Sequence, residues 1–140
     1  VDFFKNYNDS YGHIEGDQCL KEIAHCFLTE FKRSAEVVAR FGGEEFTVIL
    51  PDVDQDEAIF LAHRLADSVR QRHIPHDSSP IENIVTISIG VATMHSNQIY
   101  ESKDILKAAD KALYEAKRKG RNRVEHTPLN EYKAHEFSPL

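Results

Sequence analysis

The sequence contains no tryptophan, one methionine and only two cysteines. Cys19 and Cys26 lie about 10 Å apart along a predicted helix, at about 1.5 Å per residue, so a disulfide between them is sterically excluded. Because there is no CxxC pair, we expect the two cysteines to be small core residues rather than metal ligands. Two unpaired thiols fit a reducing compartment, and we therefore expect this domain to be cytoplasmic.

Long apolar runs and a positive net charge are also missing. No stretch approaches the roughly 20 residues that span a bilayer, so we expect no membrane contact by this domain and place any anchor elsewhere in the parent protein. The formal charge of −6 argues against a nucleic-acid partner, because phosphate backbones require a cationic surface. The 41% apolar and 29% charged content of the 140 residues is typical of one globular domain.

Apolar residues at helical spacing predict three amphipathic helices. The first follows Gly16, the second follows a predicted capping pair of Asp54 and Glu57, and the third ends near Gly120. Their predicted buried residues are Leu20, Ile23, Ala24, Phe27 and Phe31 in the first helix; Ala58, Leu61, Ala62, Leu65 and Val69 in the second; and Ile105, Leu106, Ala109, Ala112, Leu113 and Ala116 in the third.

Runs rich in β-formers predict the strands. Val37 to Phe41 and Glu44 to Leu50 form a predicted hairpin around Gly42-Gly43, because both glycines tolerate positive φ in a two-residue turn. Val85 to Val91 alternates as a further strand, and the short run Arg123 to Glu125 is a predicted edge strand.

The opening residues Val1 to Lys5 have the pattern of a strand end running into a helix, so we expect a piece of a larger protein with a truncated first strand. The order strand, helix, hairpin, helix, strand, helix, strand indicates an α+β fold with a mostly antiparallel central sheet and flanking helices. We expect the domain to cover residues 1–126 and residues 127–140 to be a C-terminal tail.

The predicted hairpin carries two acids directly after its glycine turn. On a strand, Glu44 and Glu45 would point to opposite faces of the sheet, so only one of them would serve a given site. A carboxylate beside a glycine turn suits Mg²⁺ bound together with substrate phosphates. On spacing alone, an ordinary solvated hairpin tip with two surface acids is the favoured interpretation.

Several motifs in register carry a family resemblance. Gly42-Gly43-Glu44-Glu45-Phe46 is the GGEEF form of a known signature, and other matching motifs are Phe3-Phe4-Lys5, Asn8-Asp9, Gly12-His13, Gly16-Asp17, Val85 to Val91 and Ala112 to Asn122. From Val1 to about Val124 the chain resembles GGDEF domains, the catalytic domains of diguanylate cyclases. The resemblance implies a ferredoxin-like, nucleotidyl-cyclase-like fold that condenses two GTP molecules into cyclic di-GMP and two pyrophosphates.

The resemblance implies that Asn8 and Asp17 hydrogen-bond the guanine of GTP, and an amide with a carboxylate suits the guanine edge. His13 would lie beside the nucleotide. An equal alternative is that His13 only leads into the helix, with the hydrogen bonds of its ring already made within the protein.

The resemblance also implies that Phe3 and Phe4 bind GTP. Lys5 would be catalytic, lying against the phosphates and stabilising charge at the α-phosphorus, and Lys117 and Arg121 would bind the terminal phosphates. The alternatives are a solvated lysine and, for the last pair, cations attracted by a helix C-terminus.

The family holds Mg²⁺ or Mn²⁺ with an Asp that would fall immediately before residue 1, the backbone carbonyl of Val1 and the carboxylate of Glu44. Asp2 is not assigned as a replacement. Glu44 is also the best candidate for assisting deprotonation of the attacking 3′-hydroxyl. Because the third ligand is missing, we expect this fragment to be weakly active or inactive.

The resemblance further implies a two-fold homodimer as the active species and an N-terminal sensory or regulatory module in the parent protein. Product inhibition would use Arg33 with Glu36, where the family has RxxD, and Arg64. A surface helix end with scattered charges is the alternative for that site. The alternative for the whole domain is a catalytically inactive GGDEF module that binds GTP or cyclic di-GMP as a regulatory sensor.

Overall fold

The computed structural model describes residues 1–95, 100–127 and 129. The helices are α1 (Phe4–Tyr11), α2 (His13–Glu30), α3 (Gln55–Gln71) and α4 (Ser102–Arg118). The strands are β1 (Val37–Arg40), β2 (Phe46–Ile49), β3 (Ile89–Val91) and β4 (Val124–His126). In the predicted tail, the Thr127 N–H donates to the Val91 carbonyl over 3.1 Å and Leu129 is 2% exposed. Residues 128 and 130–140 lie outside the described part of the chain.

The first two helices meet at a glycine. Gly12 has a φ of +87°, and its N–H caps α1 by donating to the Asn8 carbonyl over 2.8 Å. The second helix begins at His13, three residues before the predicted start near Gly16, because Gly12 turns the chain there. A Cβ on Gly16 would collide with the amide oxygen of Asn8, so the glycine lets α1 and α2 pack closely.

The hairpin pairs β1 with β2 in antiparallel register, from Val37 opposite Ile49 to Arg40 opposite Phe46. Its loop is residues 41–45, so the predicted two-residue turn is wrong. Arg40 stabilises this wider loop, since its Nε donates to the carbonyls of Gly42 and Gly43 over 3.3 and 2.9 Å. The acids of the signature therefore lie in the loop, and the alternation of faces expected for a strand does not apply to them.

Helix α3 begins as predicted. The Asp54 side chain accepts a 2.8 Å hydrogen bond from the Glu57 N–H, which confirms the capping pair. The predicted buried residues Ala58, Leu61, Ala62, Leu65 and Val69 are all buried. This face packs against α2 and against the pair of β3 and β4.

Strands β3 and β4 pair in parallel, with Ile89 opposite Val124 and Val91 opposite His126. Upstream of β3, an antiparallel bridge joins Pro75 to Ile84. The Asp2 N–H donates to the Thr86 carbonyl over 3.0 Å, so the start of the chain lies along the predicted strand from Val85.

Helix α4 packs on β3 through small side chains. Ala108, Ala112 and Ala116 are buried, and a Cβ on Gly90 would collide with the backbone of α4. The prediction that Leu106 is buried is wrong, because this side chain is 48% exposed. The buried stripe of α4 is instead Asp104, Ala108, Ala112 and Ala116, so it is rotated away from Leu106.

Both cysteines are buried in the core with Ile23 and Leu65, as predicted from their spacing. Burial raises the pKa of the Cys19 thiol to about 11, so the thiol stays protonated at neutral pH. Within residues 1–95 and 100–127, none of the helices has the length and apolar character needed to span a membrane.

Candidate functional site

The site is built first at the N-terminus of α1. Phe3 precedes the helix with a φ of +50°, a region that bulky residues rarely adopt. The carbonyl of Phe3 accepts hydrogen bonds from the Tyr7 N–H and from Nε2 of the buried His76, each over 3.1 Å. The first N–H groups of α1 have no acceptor inside the helix, and such groups attract anions.

The turn after α4 brings a cation to the same place. The guanidinium carbon of Arg121 lies 4.5 Å from the ring centroid of Phe3, within the range of a cation–π contact. Gly120, Arg121 and Asn122 have φ values of +121°, +65° and +49°. Two successive non-glycine residues in this region cost on the order of 1–3 kcal/mol each, so neighbouring contacts must hold the turn.

The cations of this turn differ in their partners. Arg118 pairs with Glu115 over 2.7 Å, and Lys119 pairs with Glu125 over 2.9 Å. In the described chain, neither Lys117 nor Arg121 has a carboxylate partner, so both are available to bind an anionic ligand. Unpaired cations suit an anionic ligand, and the negative end of the α4 dipole favours cations at the same place.

The hairpin loop reaches the start of the chain. The Val1 nitrogen lies 3.2 Å from the Glu44 carbonyl oxygen and donates to it. The charges of Asp2, Glu44, Lys117 and Glu45 lie close enough to act electrostatically on the Val1 nitrogen. The signature loop, the end of the first strand and Lys117 therefore surround one region of the surface.

Asp2 has a role that its sequence position did not reveal. The residue is 3% exposed, and its carboxylate accepts hydrogen bonds from Thr86 Oγ1 over 2.8 Å, Ser88 Oγ over 2.6 Å and the Asn122 N–H over 3.0 Å. Both of its oxygens therefore accept hydrogen bonds from protein donors. In the sequence, the only indication of this role is that Asp2 is an acid at the end of a β-rich run.

The residues expected to bind guanine lie together across α1 and α2. Asn8 packs against Gly16, which precedes Asp17, and His13 is one helical turn from Asp17 on the exposed surface of α2. The Asn8 Oδ1 atom is buried and has no hydrogen-bond partner among the described residues. An unpaired buried polar atom is costly, so this amide suits a site that a ligand completes.

Two further predicted substrate residues are placed differently. Lys5 is on the outer surface of α1, 87% exposed at its side chain, and pairs with Asp9 over 3.0 Å. Phe4 is buried, with its ring stacked on Tyr7 at 6.0 Å between centroids. Its side chain belongs to the core, so the Phe4 ring does not face a ligand.

The predicted product-inhibition residues lie where the end of α2 meets α3. The backbone N–H of Arg33 donates to a Glu36 carboxylate oxygen over 2.9 Å, and its guanidinium is 3.5 Å from Glu57. Arg64 on α3 donates to Glu30 over 2.5 Å. Both arginines are thus held by carboxylates of this chain.

The donors for a metal ion are few. Among the described residues, no group of three or more His, Cys, Asp and Glu side chains could hold a metal ion. Glu44 and the carbonyl of Val1 supply oxygen donors in the region that Lys117 also borders. Such a set fits Mg²⁺ that binds together with substrate phosphates, since Mg²⁺ commonly uses one or two carboxylates and keeps phosphates or waters as its other ligands.

Comparisons with known proteins identify the family of this chain. The sequence profile described as "Diguanylate cyclase, GGDEF domain" matches residues 1–123. Diguanylate cyclase A of Treponema denticola is 45% identical over 124 residues, which cover 89% of this chain and 32% of that protein. The probable diguanylate cyclase DgcT of Escherichia coli is 40% identical, with coverage of 89% and 27%.

Solved structures match over a similar range. The GGDEF domain of DgcB from Caulobacter crescentus, in complex with c-di-GMP, has a TM-score of 0.78 at 31% identity and covers 90% of this chain and 72% of that chain. The active GGEEF domain of a diguanylate cyclase from Vibrio cholerae has a TM-score of 0.74 at 32% identity, with coverage of 90% and 77%.

This chain therefore belongs to the GGDEF family of diguanylate cyclase domains. The predicted family and the α+β fold class are confirmed. The chain spans about a third or less of the length of the two curated relatives described above.

Proposed function

We propose that this chain is the catalytic domain of a diguanylate cyclase, which condenses two GTP molecules into cyclic di-GMP and two pyrophosphates. The observation that carries the proposal is the convergence of the signature loop, the N-terminus of α1 and two unpaired cations around Val1 and Phe3.

Residues of α1 and α2 recognise the guanine. The Asp17 carboxylate accepts hydrogen bonds from the ring N–H and the amino group of guanine, and the Asn8 amide pairs with the remaining polar edge. Adenine has no ring N–H at this edge, so ATP would leave the carboxylate mismatched. His13 lies on the same exposed surface, next to the base.

Phosphate binding falls to the N-terminus of α1 and the end of α4. Backbone N–H groups at Phe4 and Lys5 face the anion, and Lys117 and Arg121 bind the terminal phosphates. Lys5 leaves its exposed contact with Asp9 and stabilises the charge that develops at the α-phosphorus. An exposed ion pair of this kind contributes little to stability, so this exchange costs little.

A bound Mg²⁺ or Mn²⁺ would be held by Glu44 and the Val1 carbonyl together with the phosphates, and it would neutralise their negative charge. The Glu44 carboxylate takes the proton of the attacking 3′-hydroxyl. A bond forms between the 3′-oxygen and the α-phosphorus, the bond to the β-phosphate oxygen breaks, and pyrophosphate leaves with that electron pair. Positioning and electrostatics supply the rate enhancement, and no covalent enzyme intermediate is needed.

Each domain binds one GTP, so a symmetric cyclic product requires two half-sites facing each other in a two-fold homodimer. The parent protein is proposed to be cytoplasmic at this domain and to carry an N-terminal sensory or regulatory module. Arg33, Glu36 and Arg64 are proposed to bind the product. That role would require Arg33 and Arg64 to exchange their carboxylate partners for phosphates.

The test uses purified full-length protein with GTP and Mg²⁺, and chromatography of the products. We expect cyclic di-GMP from the wild type, at least about a hundredfold less from Glu44→Ala, and an unchanged rate from Glu82→Ala, which removes an exposed acid in the loop before β3. Wild-type protein that binds GTP but forms no cyclic dinucleotide would instead identify a regulatory binding module.

A further inference from the structure

The turn that carries Arg121 is held by a buried acid, Asp2, whose contact with Asn122 spans 120 positions of the sequence. The Asp2 Oδ2 atom accepts from the Asn122 N–H and from Thr86 Oγ1, and Oδ1 accepts from Ser88 Oγ. One carboxylate thus joins the end of the first strand, the segment before β3 and the turn after α4.

The same turn is held from its other side by α3. The Arg70 guanidinium donates to Asn122 Oδ1 over 2.6 Å. Asn122 therefore receives one contact at its backbone and one at its side chain, from two different parts of the fold. These contacts act together with the hydrogen bond from the Arg121 N–H to the Ala116 carbonyl, 2.9 Å long, to hold a turn in which Arg121 and Asn122 both have positive φ values, which residues with a Cβ adopt less readily than glycine.

We infer that Asp2 is a positioning residue for phosphate binding: through the Asn122 N–H it holds the turn in the conformation that places the Arg121 guanidinium over the Phe3 ring. Asp2 acts on the substrate through Arg121 and touches neither the metal nor the nucleotide. This inference rests on the proposed function, because it takes Arg121 as a ligand of the phosphates.

The physical argument is the cost of losing a charged acceptor. Hydrogen bonds to an ionised group are stronger than neutral ones, and removal of a buried acceptor leaves its donors unpaired. With the carboxylate gone, the Asn122 N–H has no acceptor, and the turn is free to leave its strained conformation. Arg121 would then lose its fixed position before the phosphates, whereas Asn8 and Asp17 on α1 and α2 would keep theirs.

The experiment compares two ligands on the purified full-length protein with Mg²⁺. Guanosine 5′-(α,β-methylene)triphosphate reports the triphosphate site and cannot release pyrophosphate, and GMP reports mainly the guanine site. Asp2→Ala is expected to weaken the triphosphate about tenfold and GMP less than about twofold, measured by calorimetry or by competition. A variant that is merely destabilised would lose affinity for both ligands together.

The matched control is Ser88→Ala. It removes the hydroxyl that binds the other carboxylate oxygen and leaves the Asn122 contact in place. We expect a lower melting temperature for Ser88→Ala with triphosphate affinity within about twofold of the wild type. Asp2→Asn keeps an acceptor for the Asn122 N–H and is expected to recover most of the triphosphate affinity.

A double-mutant cycle tests whether the effect passes through Arg121. Arg121→Ala alone should weaken the triphosphate about tenfold, and adding Asp2→Ala should then cost less than about twofold more. Independent, multiplying effects would overturn the inference. If Arg121→Ala leaves triphosphate affinity unchanged, the proposed phosphate role of Arg121 fails, and the inference fails with it.

Arg70→Met provides a variant that leaves Asp2 and the first strand intact, should Asp2→Ala fail to fold. Loss of the guanidinium removes the other contact to Asn122, so the triphosphate affinity should fall about threefold, with GMP unchanged and no further loss on the Arg121→Ala background. An unchanged triphosphate affinity in Arg70→Met would contradict control of Arg121 through this turn.

Discussion

The Arg121 guanidinium lies over the ring of Phe3, with 4.5 Å between its carbon and the ring centroid. Phe3 has a φ of +50° and directly precedes α1, so this contact places a cation beside the free N–H groups of a helix N-terminus. The contact joins residues from the two ends of the domain, and it supplies the first of the following predictions.

Replacing Phe3 with leucine should weaken phosphate binding. Phe3→Leu keeps an apolar side chain but removes the aromatic face under Arg121, a contact worth about 0.5–1 kcal/mol at exposed sites. We expect the KM for GTP to rise about two- to fivefold. Phe60→Leu is the matched control, because Phe60 is an exposed phenylalanine on α3, and steady-state kinetics of both variants provide the measurement. Equal KM values in the two variants would show that the aromatic face does not hold Arg121.

A methyl group at Gly16 should disturb guanine binding more than folding. The Cβ of Gly16→Ala would meet the Asn8 amide oxygen, which is the end of a flexible side chain and can rotate away. We expect GTP affinity to fall about tenfold, measured by calorimetry, with a melting temperature lower by a few degrees. Full affinity for GTP in Gly16→Ala would mean that the position of the Asn8 amide does not matter for the nucleotide.

A methyl group at Gly90 should disturb folding more than guanine binding. Its Cβ would meet backbone atoms of Ala109 and Leu113, which cannot move without shifting α4. We expect Gly90→Ala to lower the free energy of unfolding by about 1–3 kcal/mol, measured by urea denaturation. Gly43→Ala is the control for stability, because nothing lies within 4 Å of a Cβ at that loop position. Equal stability of the two variants would contradict the close packing of α4 on β3.

The buried thiol of Cys19 should make stability depend on alkaline pH. Burial raises its pKa from 9.0 to about 11, so the unfolded chain releases this proton at lower pH than the folded chain does. The contribution is therefore fully present below pH 9 and is lost as the pH rises through about 11. Tyr7, with its pKa raised by burial to about 12, adds a similar effect at higher pH.

Denaturation of the wild type and of Cys19→Ala across this pH range provides the measurement. The variant should lose less stability between pH 9 and 11 than the wild type does. Identical slopes would show that the thiol does not titrate with a raised pKa. In the folded wild type, the thiol should also resist alkylation at pH 8, because the thiolate is the reactive form.

The helices could be predicted because their signals are local. The Asp54 cap and the apolar repeat of α3 appear within a few turns of one segment, and the structure confirms both. The error at Leu106 has a tertiary cause, since periodicity places this residue on the inner face but the close approach of Gly90 to α4 selects the alanines. The hairpin was predicted, but its turn was not, because the side chain of Arg40 binds the loop carbonyls and favours a wider loop.

The residues of the candidate site could also be predicted only in part. The motifs in the sequence indicated Glu44, Lys117 and Arg121 as a group, and the structure brings them around the start of the chain. It also places the side chain of the predicted residue Phe4 in the core. No local pattern marked His76, whose ring binds the Phe3 carbonyl from 73 positions away.

The amino-acid sequence was sufficient to specify the family, the main helices and the chemical types of the site residues, because each is written in short motifs and in local apolar periodicity. Tertiary structure decided which of these groups are free to act. Asp2 and Glu44 are both acids near strand ends, yet packing buries Asp2 among three donors and leaves Glu44 in an exposed loop. Hydrogen-bond partners from distant segments make this distinction, and sequence spacing does not record them.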